Sequence, residues 1–335
     1  MKLAVAFITY NETSAGYLSD FLPSLERALQ SLGPDDYRVY AFDNSDPAEE
    51  RNNLLLESFN AGLLTGLLPR RPITVMTLRR NLGFSRAYNI LIDRALADQA
   101  EYFFVINPDT LLEPETISRL LLALEERASL ASVSPKILRW DFDARRKTKI
   151  IDSLGLVLEP GLRFIDLGQG LPDEGQFDDL PILGPSGAAG LFRINALEKI
   201  VEYRGGNKSR QYFDERFFMY KEDCDLAYRL FLAGYESALV ADALVYHDRT
   251  AVSSGRGLVR ILQDRRGKSR QIRAWSFKNQ HLLFVKHWTE QNIYNKAKII
   301  YRVLTMFIFS LILEQFLLKE YCQIWRETRV LTNIK

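Results

Sequence analysis

Five carboxylates lie among aromatic residues in one short stretch of the sequence, residues 213–226. Aromatic neighbours partly remove a carboxylate from water, which raises its pKa toward the range in which it accepts a proton at neutral pH. We therefore interpret Glu222 and Asp223 as candidate catalytic residues. The alternative is structural, because the helix dipole favours acids in the first turn of a helix, and this alternative explains Asp225 well.

Polar residues also gather where four predicted strands end. The strands are predicted at 3–9, 37–42, 73–78 and 102–106. The residues at and after their ends are Thr9, Tyr10, Asn11, Asp43, Arg79, Arg80, Asn81, Gly83, Asn107 and Asp109. Each alone is typical of a turn or a helix cap. Ligands of open α/β sheets bind beyond the carboxyl ends of the strands, so together these residues predict a ligand site.

Helical patterns separate these strands, at about 17–32, 47–64 and 85–97. Continuous apolar strands between helices indicate a mostly parallel sheet that is covered on both faces. In the second half we predict a helix at 114–127, a strand at 131–138, a polar insertion at 139–148, a helix at 223–233 and a strand at 238–246.

The residue types suggest how a nucleotide would bind at this edge. Asp43 is suited to accept the imide N–H of a pyrimidine base. Arg79, Arg80 and the Gly83 turn could face a diphosphate, through guanidinium charge and free backbone N–H groups. Asp109 could hold Mg²⁺ or Mn²⁺ against phosphate oxygens, which would stabilise a departing nucleoside diphosphate.

Two further features complete the candidate site. Gly187 and Ala188 belong to a run of small residues, which either lets backbone approach a ligand or packs two elements tightly. His247 closes the last strand and is a candidate metal ligand, which would need a partner on its other ring nitrogen. His281 and His287 lie in a helical, aromatic-rich segment and are interpreted as structural.

In this order the residues resemble family-two inverting glycosyltransferases, and within them the rhamnosyltransferase-like bacterial members. The resemblance spans about residues 3–250. The most specific part is the block FDERFFMYKEDCDLAYRLFLAGY at 213–235. The other matching segments are ITYN at 8–11, DNS at 43–45, NLGFSRAYN at 81–89, NPD at 107–109, GAAGLFR at 187–193 and VYH at 245–247.

This resemblance implies a GT-A fold, the nucleotide-diphospho-sugar transferase fold, with a mostly parallel central sheet and here a C-terminal helical tail. It places Asp109 at the metal position of a DxD-type motif and His247 at an additional metal ligand. It makes Asp223 the base, with Glu222 orienting it or serving in its place. Asn107 stands where many relatives have the first aspartate, which removes one negative charge from the metal site. Around the base and ribose the resemblance places Thr9, Tyr10, Asn11 and Asp43.

The expected function is metal-dependent transfer of a sugar, with inversion, from a dTDP- or UDP-sugar such as dTDP-rhamnose. The expected acceptor is a saccharide or lipid-linked saccharide in cell-surface polysaccharide biosynthesis. A catalytically silent carbohydrate-binding or scaffold subunit is the alternative from another class. A sugar-1-phosphate nucleotidyltransferase would need a Gly-rich basic loop after the first strand, and an NAD-dependent oxidoreductase would need G-x-G-x-x-G; neither pattern is in the sequence.

Composition sets the remaining expectations. The chain has 335 residues, 47% hydrophobic and 26% charged, which excludes wholesale disorder. We expect a glycosyltransferase domain at 1–250 and a basic linker with an amphipathic helical region at 251–335. Two cysteines and a first apolar run too short for a signal peptide favour the cytoplasm. A net charge of +2 gives no general attraction to polyanions, and no nucleic-acid partner is expected.

The tail suggests a membrane surface. Residues 303–313 are uncharged and apolar, but too few to span a bilayer. Beside a basic segment, such a stretch fits a helix lying on an anionic membrane, which would place the protein at the inner face of the cell membrane. Packing on its own domain or in a homodimer is the alternative. The basic residues are Arg256, Arg260, Arg265, Arg266, Lys268, Arg270 and Arg273.

Overall fold

The computed structural model describes residues 1–64, 69–204, 209–248, 265 and 267–332. A central sheet of nine strands dominates it, in the order β3-β2-β1-β4-β10-β6-β13-β5 with β7 paired to β6. Its strands are β1 (Leu3–Thr9), β2 (Tyr37–Asp43), β3 (Ile73–Thr77), β4 (Tyr102–Ile106), β5 (Thr110–Leu112), β6 (Leu130–Asp141), β7 (Arg146–Ser153), β10 (Ala189–Arg193) and β13 (Glu236–His247). Two small hairpins are β8 (Leu156–Glu159) with β9 (Arg163–Asp166), and β11 (Glu202–Arg204) with β12 (Ser209–Gln211).

Six of the nine strands, β1–β4, β6 and β13, run in one direction, with β10 inserted antiparallel between β4 and β6. The predicted α/β class with a mostly parallel sheet is thus confirmed. The helices are α1 (Asn11–Ala28), α2 (Arg51–Asn60), α3 (Gly83–Ala97), α4 (Thr116–Glu126), α5 (Ile194–Lys199), α6 (Glu222–Leu232), α7 (Arg270–Lys286), α8 (Ile293–Ile312) and α9 (Glu320–Thr332).

Apolar side chains cover both faces of the sheet. Along β1, Val5 and Phe7 point into one core, which α1 and α4 cover, whereas Ala4 and Ala6 point into the other, which α3 and α6 cover. This alternation explains why the strand reads as one continuous apolar run, since a strand buried on both faces has no polar side.

Several element boundaries differ from the sequence prediction. Helix α1 begins at Asn11 rather than near residue 17, because its first turn is polar and carries none of the apolar spacing that predicts a helix. Helix α2 is shorter than predicted at both ends. The predicted polar insertion at 139–148 is the turn region of the β6–β7 hairpin, where Phe142 packs on Tyr17 of α1 at 4.6 Å between ring centroids.

A helical tail follows β13, as predicted. Helix α7 packs through Leu282 and Leu283 on Tyr228 of α6, and α9 packs near Phe277 of α7. In the described part of the chain no helix is long and apolar enough to cross a membrane. The division at residue 250 stays a prediction. Of the predicted basic residues, Arg256, Arg260 and Arg266 lie outside the described residues.

Candidate active site

The ends of β1 and β2 bring Thr9 and Asp43 together in register. Asp43 is 2% exposed, and its Oδ1 accepts hydrogen bonds from Thr9 Oγ1 (2.9 Å), Ser45 Oγ (2.6 Å) and the Ser45 N–H (3.2 Å). These contacts hold the carboxylate in one orientation. We find no hydrogen bond from the described residues to Oδ2, so this oxygen is available to a donor on a ligand.

The first turn of α1 forms the neighbouring wall. Asn11 adopts a left-handed conformation (φ 41°), and its N–H donates to Ser45 Oγ at 2.8 Å. Its side chain exchanges two hydrogen bonds with Asp46, each 2.9 Å long. Tyr10 is 36% exposed beside it. Hydrogen bonds therefore connect the ends of β1 and β2 and the segments that follow them, which carry the predicted nucleotide-binding residues Thr9, Tyr10, Asn11 and Asp43.

At the Gly83 turn the expectation of free backbone N–H groups is wrong. The Gly83 N–H donates to Asn81 Oδ1 (2.8 Å) and the Phe84 N–H donates to the Phe218 carbonyl (2.6 Å). Gly83 has a φ of +75°, and a Cβ there would lie 2.5 Å from the Phe218 oxygen. The glycine thus permits close approach of the segment before α6 rather than of a phosphate.

Arg79 and Arg80 are exposed beyond the end of β3. Their guanidinium groups are the remaining means by which this segment would contact a diphosphate, and that role stays a prediction. Asn44, which the sequence analysis did not single out, links the segment to β2. Its Nδ2 donates to the Gly83 carbonyl (3.0 Å), and its Oδ1 accepts the Leu82 N–H (3.1 Å).

Asp109 and His247 meet at the end of β4 and β13, where their Oδ2 and Nε2 atoms are 3.3 Å apart. The other ring nitrogen, Nδ1, lies 2.8 Å from Oδ2 of Asp152 on β7. Burial lowers the pKa of His247, but the two carboxylates outweigh burial and raise it to about 10. The imidazole is therefore held between two acids.

This arrangement fits a divalent cation. Asp109 Oδ1 is buried with no hydrogen-bond partner among the described residues, as expected of an atom whose partner is an ion. Asp152 supplies the partner that a metal-bound histidine needs on its second nitrogen. Among the described residues no three His, Cys, Asp or Glu side chains form a metal-binding group. Asp109 and His247 would thus leave further positions to phosphate oxygens and water, as is usual for Mg²⁺.

Asp152 could not be predicted from the sequence, because no pattern indicates which of the many acidic residues contacts His247 in the folded chain. Asn107, predicted beside the metal, is fixed through its backbone. Its N–H donates to the Ala188 carbonyl at 2.9 Å, and its own carbonyl accepts from Thr110 Oγ1 at 2.7 Å. The segment before β10 is thereby joined to the end of β4.

Asp223 lies at the start of α6, half-buried, with both carboxylate oxygens held by backbone donors. The Gly187 N–H donates to Oδ2 (3.0 Å) and the Cys224 N–H donates to Oδ1 (2.8 Å). Its neighbour Glu222 is 5% exposed, and its Oε2 is buried without a partner among the described residues. Burial, and then the charge of Asp223, raise the pKa of Glu222 well above its ordinary value. The predicted desolvation therefore acts on Glu222, where it favours the uncharged form of the carboxyl group.

The run of small residues serves tight packing, one of the two purposes that the sequence allowed, and its approach to a ligand stays a prediction. A Cβ at Gly184 would lie 2.6 Å from Ala227 Cβ of α6, and one at Gly190 would lie 2.5 Å from Pro185. These two glycines allow tight packing. Gly187 and Ala188 instead contribute backbone groups, one to Asp223 and the other to Asn107.

The turn that leads into α6 is held by a residue far away in the chain. Phe218, Tyr220 and Lys221 all have positive φ, at 52°, 72° and 73°. Asn279 of α7 places its Nδ2 within 2.6–2.8 Å of three carbonyl oxygens of this turn, those of Phe217, Met219 and Tyr220. No local pattern marks Asn279. The tail thus supports the turn that positions Glu222 and Asp223.

Asp225 is more than a residue favoured by the helix dipole. Its carboxylate is fully buried and contacts Arg229 Nε (2.8 Å), Lys286 Nζ (2.8 Å) and His287 Nε2 (2.9 Å). Burial would raise the pKa of Asp225, but the charges of Lys286 and Arg229 outweigh burial and hold it well below its ordinary value. His281 is likewise internal, with Nδ1 2.9 Å from the Phe277 carbonyl.

The mostly parallel sheet with its inserted antiparallel β10 and its covering helices defines a GT-A-like α/β fold. A model of the glycosyl transferase family 2 matches residues 4–201, and the chain belongs to this family. This family is one of glycosyltransferases. No curated protein sequence matches the chain.

Solved structures share the fold at low sequence identity. TarS from S. aureus aligns with a TM-score of 0.57 and 15% identity, over 98% of this chain and 48% of TarS. The chain thus spans about half the length of that protein. TarS 1–349 with UDP-GlcNAc aligns with a TM-score of 0.55 and 14% identity, over 98% and 80% of the two chains. A mannosyltransferase from Pyrobaculum calidifontis, solved with GDP-Man and Mn²⁺, aligns with a TM-score of 0.50 and 14% identity. The alignment covers 98% of this chain and 75% of the mannosyltransferase.

Proposed function

We propose that the chain is an inverting, metal-dependent glycosyltransferase that uses a pyrimidine nucleoside-diphosphate sugar. The observation that carries this proposal is a hydrogen-bonded path between the two candidate acids. Asp223 accepts the Gly187 N–H, and the adjacent Ala188 carbonyl accepts the Asn107 N–H, two residues before Asp109. The backbone of Gly187 and Ala188 thus links the carboxylate of Asp223 to the segment that carries Asp109.

In this reaction Asp223 takes the proton of an acceptor hydroxyl while the hydroxyl oxygen attacks the anomeric carbon of the donor. The bond from that carbon to the diphosphate oxygen breaks, and the nucleoside diphosphate leaves with the electron pair. A single displacement inverts the anomeric configuration without a covalent intermediate. A divalent cation bound by Asp109 and His247 would stabilise the negative charge of the leaving diphosphate.

The proposed base preference rests on Asp43, whose Oδ2 would accept the imide N–H of uracil or thymine. The fold alone does not decide this, because structures that share it are in complex with UDP-GlcNAc and with GDP-Man. The sequence resemblance to rhamnosyltransferase-like members makes dTDP-rhamnose the first donor to test. We propose a saccharide or lipid-linked saccharide acceptor in cell-surface polysaccharide assembly, at the inner face of the cell membrane.

A thermal-shift screen tests the donor class. We expect dTDP or UDP with Mg²⁺ or Mn²⁺ to raise the melting temperature of the purified protein, because a ligand of the native state stabilises it by mass action. Without a divalent metal, the rise in melting temperature with dTDP or UDP should be much smaller. A shift with GDP alone would overturn the role of Asp43. No shift with any nucleotide, together with no hydrolysis of dTDP- and UDP-sugars, would favour the silent carbohydrate-binding subunit.

Asp109→Ala tests the cation site. We expect donor affinity in the presence of Mn²⁺ to fall at least about tenfold, because the variant loses a charged ligand of the ion. Affinity measured in EDTA should change little, since no ion is then present to lose. Titration calorimetry with dTDP or UDP measures both. Asp242→Ala, which removes an exposed carboxylate from the middle of β13, is the control. Equal affinities of Asp109→Ala and wild type with Mn²⁺ would refute the assignment.

A further inference from the structure

We infer that the outward face of α8 binds an anionic lipid surface, with the helix lying parallel to that surface. Ten large apolar or aromatic side chains are exposed on and just after this helix, a face that would be costly to leave in water. We call it the α8 face. Its residues are Ile293, Tyr294, Ile300, Tyr301, Leu304, Phe307, Ile308, Leu311, Ile312 and Leu313. Ile293 and Ile312, at the two ends, are 87% and 71% exposed.

The α8 face is turned outward because the opposite side of the helix is fixed to the protein. Ile299 is 2% exposed in the core that α6 and α7 share. Arg302 donates to the Gly161 carbonyl at 3.2 Å, and Asn295 Oδ1 accepts the Gly161 N–H at 3.1 Å. A Cβ at Gly161 would lie 2.8 Å from Lys298 Cβ, so the helix sits directly on this turn. The exposed stripe is therefore a fixed surface rather than the unpacked side of a loose helix.

Charge indicates which partner fits. Helix α8 carries three basic residues, Lys296, Lys298 and Arg302, and no acid. The next acid, Glu314, is 6% exposed and is already paired with Arg265 and Arg273. Arg302 is bound to the Gly161 carbonyl, and a second copy of the chain would bring no carboxylate on its own α8 face to pair with Lys296 and Lys298. Anionic lipid headgroups supply the missing negative charge, and the acyl region accepts the apolar side chains.

The pairing of Glu314 also corrects part of the sequence expectation. Arg265 and Arg273 belong to the predicted basic segment, yet they contact the protein's own carboxylate. The charge left for lipid headgroups is that of Lys296 and Lys298. The Cβ of Lys298 contacts the Gly161 turn, but its Nζ lies 5.5 Å from the ring centroid of Tyr294 on the α8 face. Both lysines lie in the first half of the helix, whereas residues 303–312 are uncharged. Tyr294 and Tyr301 are of the type that sits between headgroups and acyl chains.

Vesicle flotation with the full-length protein tests this inference, which does not depend on the donor or base assignment. We expect binding to vesicles of phosphatidylcholine with about a third phosphatidylglycerol, and at least about tenfold weaker binding to phosphatidylcholine alone. The double variant Leu304→Asp/Ile308→Asp should lower binding at least about tenfold, since two charges would enter the apolar layer. Lys298→Glu should lower it several-fold, and high salt should lower wild-type binding.

The matched control is Leu54→Asp/Leu122→Asp, which adds the same charge at exposed leucines of α2 and α4. It should bind vesicles like wild type, and all variants should keep the wild-type melting temperature and nucleotide response. Failure of wild type to bind anionic vesicles would overturn the inference. If light scattering then shows a dimer that Leu304→Asp/Ile308→Asp converts to a monomer, the α8 face belongs to a second copy. Equal loss of binding in the control would refute a specific role of α8.

Discussion

Asp223→Asn is expected to lower the rate of sugar transfer about a thousandfold while leaving donor affinity within about threefold. The substitution keeps the size of the side chain and an oxygen for one of the two backbone donors, Gly187 and Cys224. It removes the capacity to take a proton from the acceptor hydroxyl. Because donor binding is proposed to rest on Asp43 and Asp109, the loss should appear in kcat rather than in the donor dissociation constant.

Glu222→Gln is the matched comparison, because it makes the same chemical change one residue away. Glu222 is buried, and this burial raises its pKa well above the ordinary value, which favours the uncharged form. Glutamine is likewise neutral and similar in size. We expect Glu222→Gln to keep transfer within about tenfold of wild type, since burial favours the uncharged form of Glu222 and the proposed base is Asp223.

Initial rates with the preferred donor and a saturating acceptor, together with donor titrations, decide between the two acids. A large loss in Glu222→Gln with near-normal Asp223→Asn would move the base to Glu222. Loss of donor binding in Asp223→Asn would show that this carboxylate supports the donor site rather than proton transfer. Melting temperatures close to wild type are required of both variants before rates are compared.

The sequence was sufficient to predict which strand ends share one edge of the sheet. Thr9 and Asp43 end β1 and β2, Asp109 comes shortly after β4, and these three strands are neighbours in the sheet. Parallel strands end at the same edge, so residues far apart in the chain arrive together without any long-range information. The position of such residues at this edge can be predicted from hydrophobic periodicity and the order of helices and strands alone.

The parts that sequence could not supply depend on contacts between distant segments. Asp152 supports His247 because the β6–β7 hairpin folds back beside β13, and Asn279 holds the turn before α6 because α7 packs there. Neither contact leaves a local pattern. The Gly83 turn misled for the same reason, since a glycine before a helix is typical of an anion site. Here its neighbouring amide is used by the Phe218 carbonyl.

Asp225→Asn is expected to destabilise the protein by about 3 to 5 kcal/mol at neutral pH, a large fraction of ordinary domain stability. Asp225 is the acid that contacts Arg229 and Lys286 in the buried cluster between α6 and α7. Lys286 also contacts Asp214 (2.9 Å) and Glu202 (3.0 Å). Removing one negative charge from this cluster leaves buried cations with too few acids, which costs more than the pair itself contributes.

Urea unfolding of the two proteins measures this difference. Glu115→Gln is the matched control, because Glu115 pairs with Arg119 at the same i,i+4 spacing as Asp225 with Arg229. The Glu115 side chain is 69% exposed, so solvent screens the pair and the change should be well under about 1 kcal/mol. Equal effects of the two substitutions would show that burial does not strengthen the Asp225 contacts.

The pH dependence gives the sign of the Asp225 contribution independently. Its folded-state pKa lies well below the ordinary value. In the unfolded chain Asp225 has the ordinary pKa of an aspartate, about 4, and is protonated below that pH. In the folded chain Asp225 keeps its negative charge at that pH. The stability that Asp225 contributes is complete above that pH and is lost as the pH falls toward its folded-state pKa. The difference between wild type and Asp225→Asn should hence narrow below about pH 4. A constant difference from neutral to acidic pH would mean that asparagine disturbs packing, and that the charge of Asp225 does not hold α6 against α7.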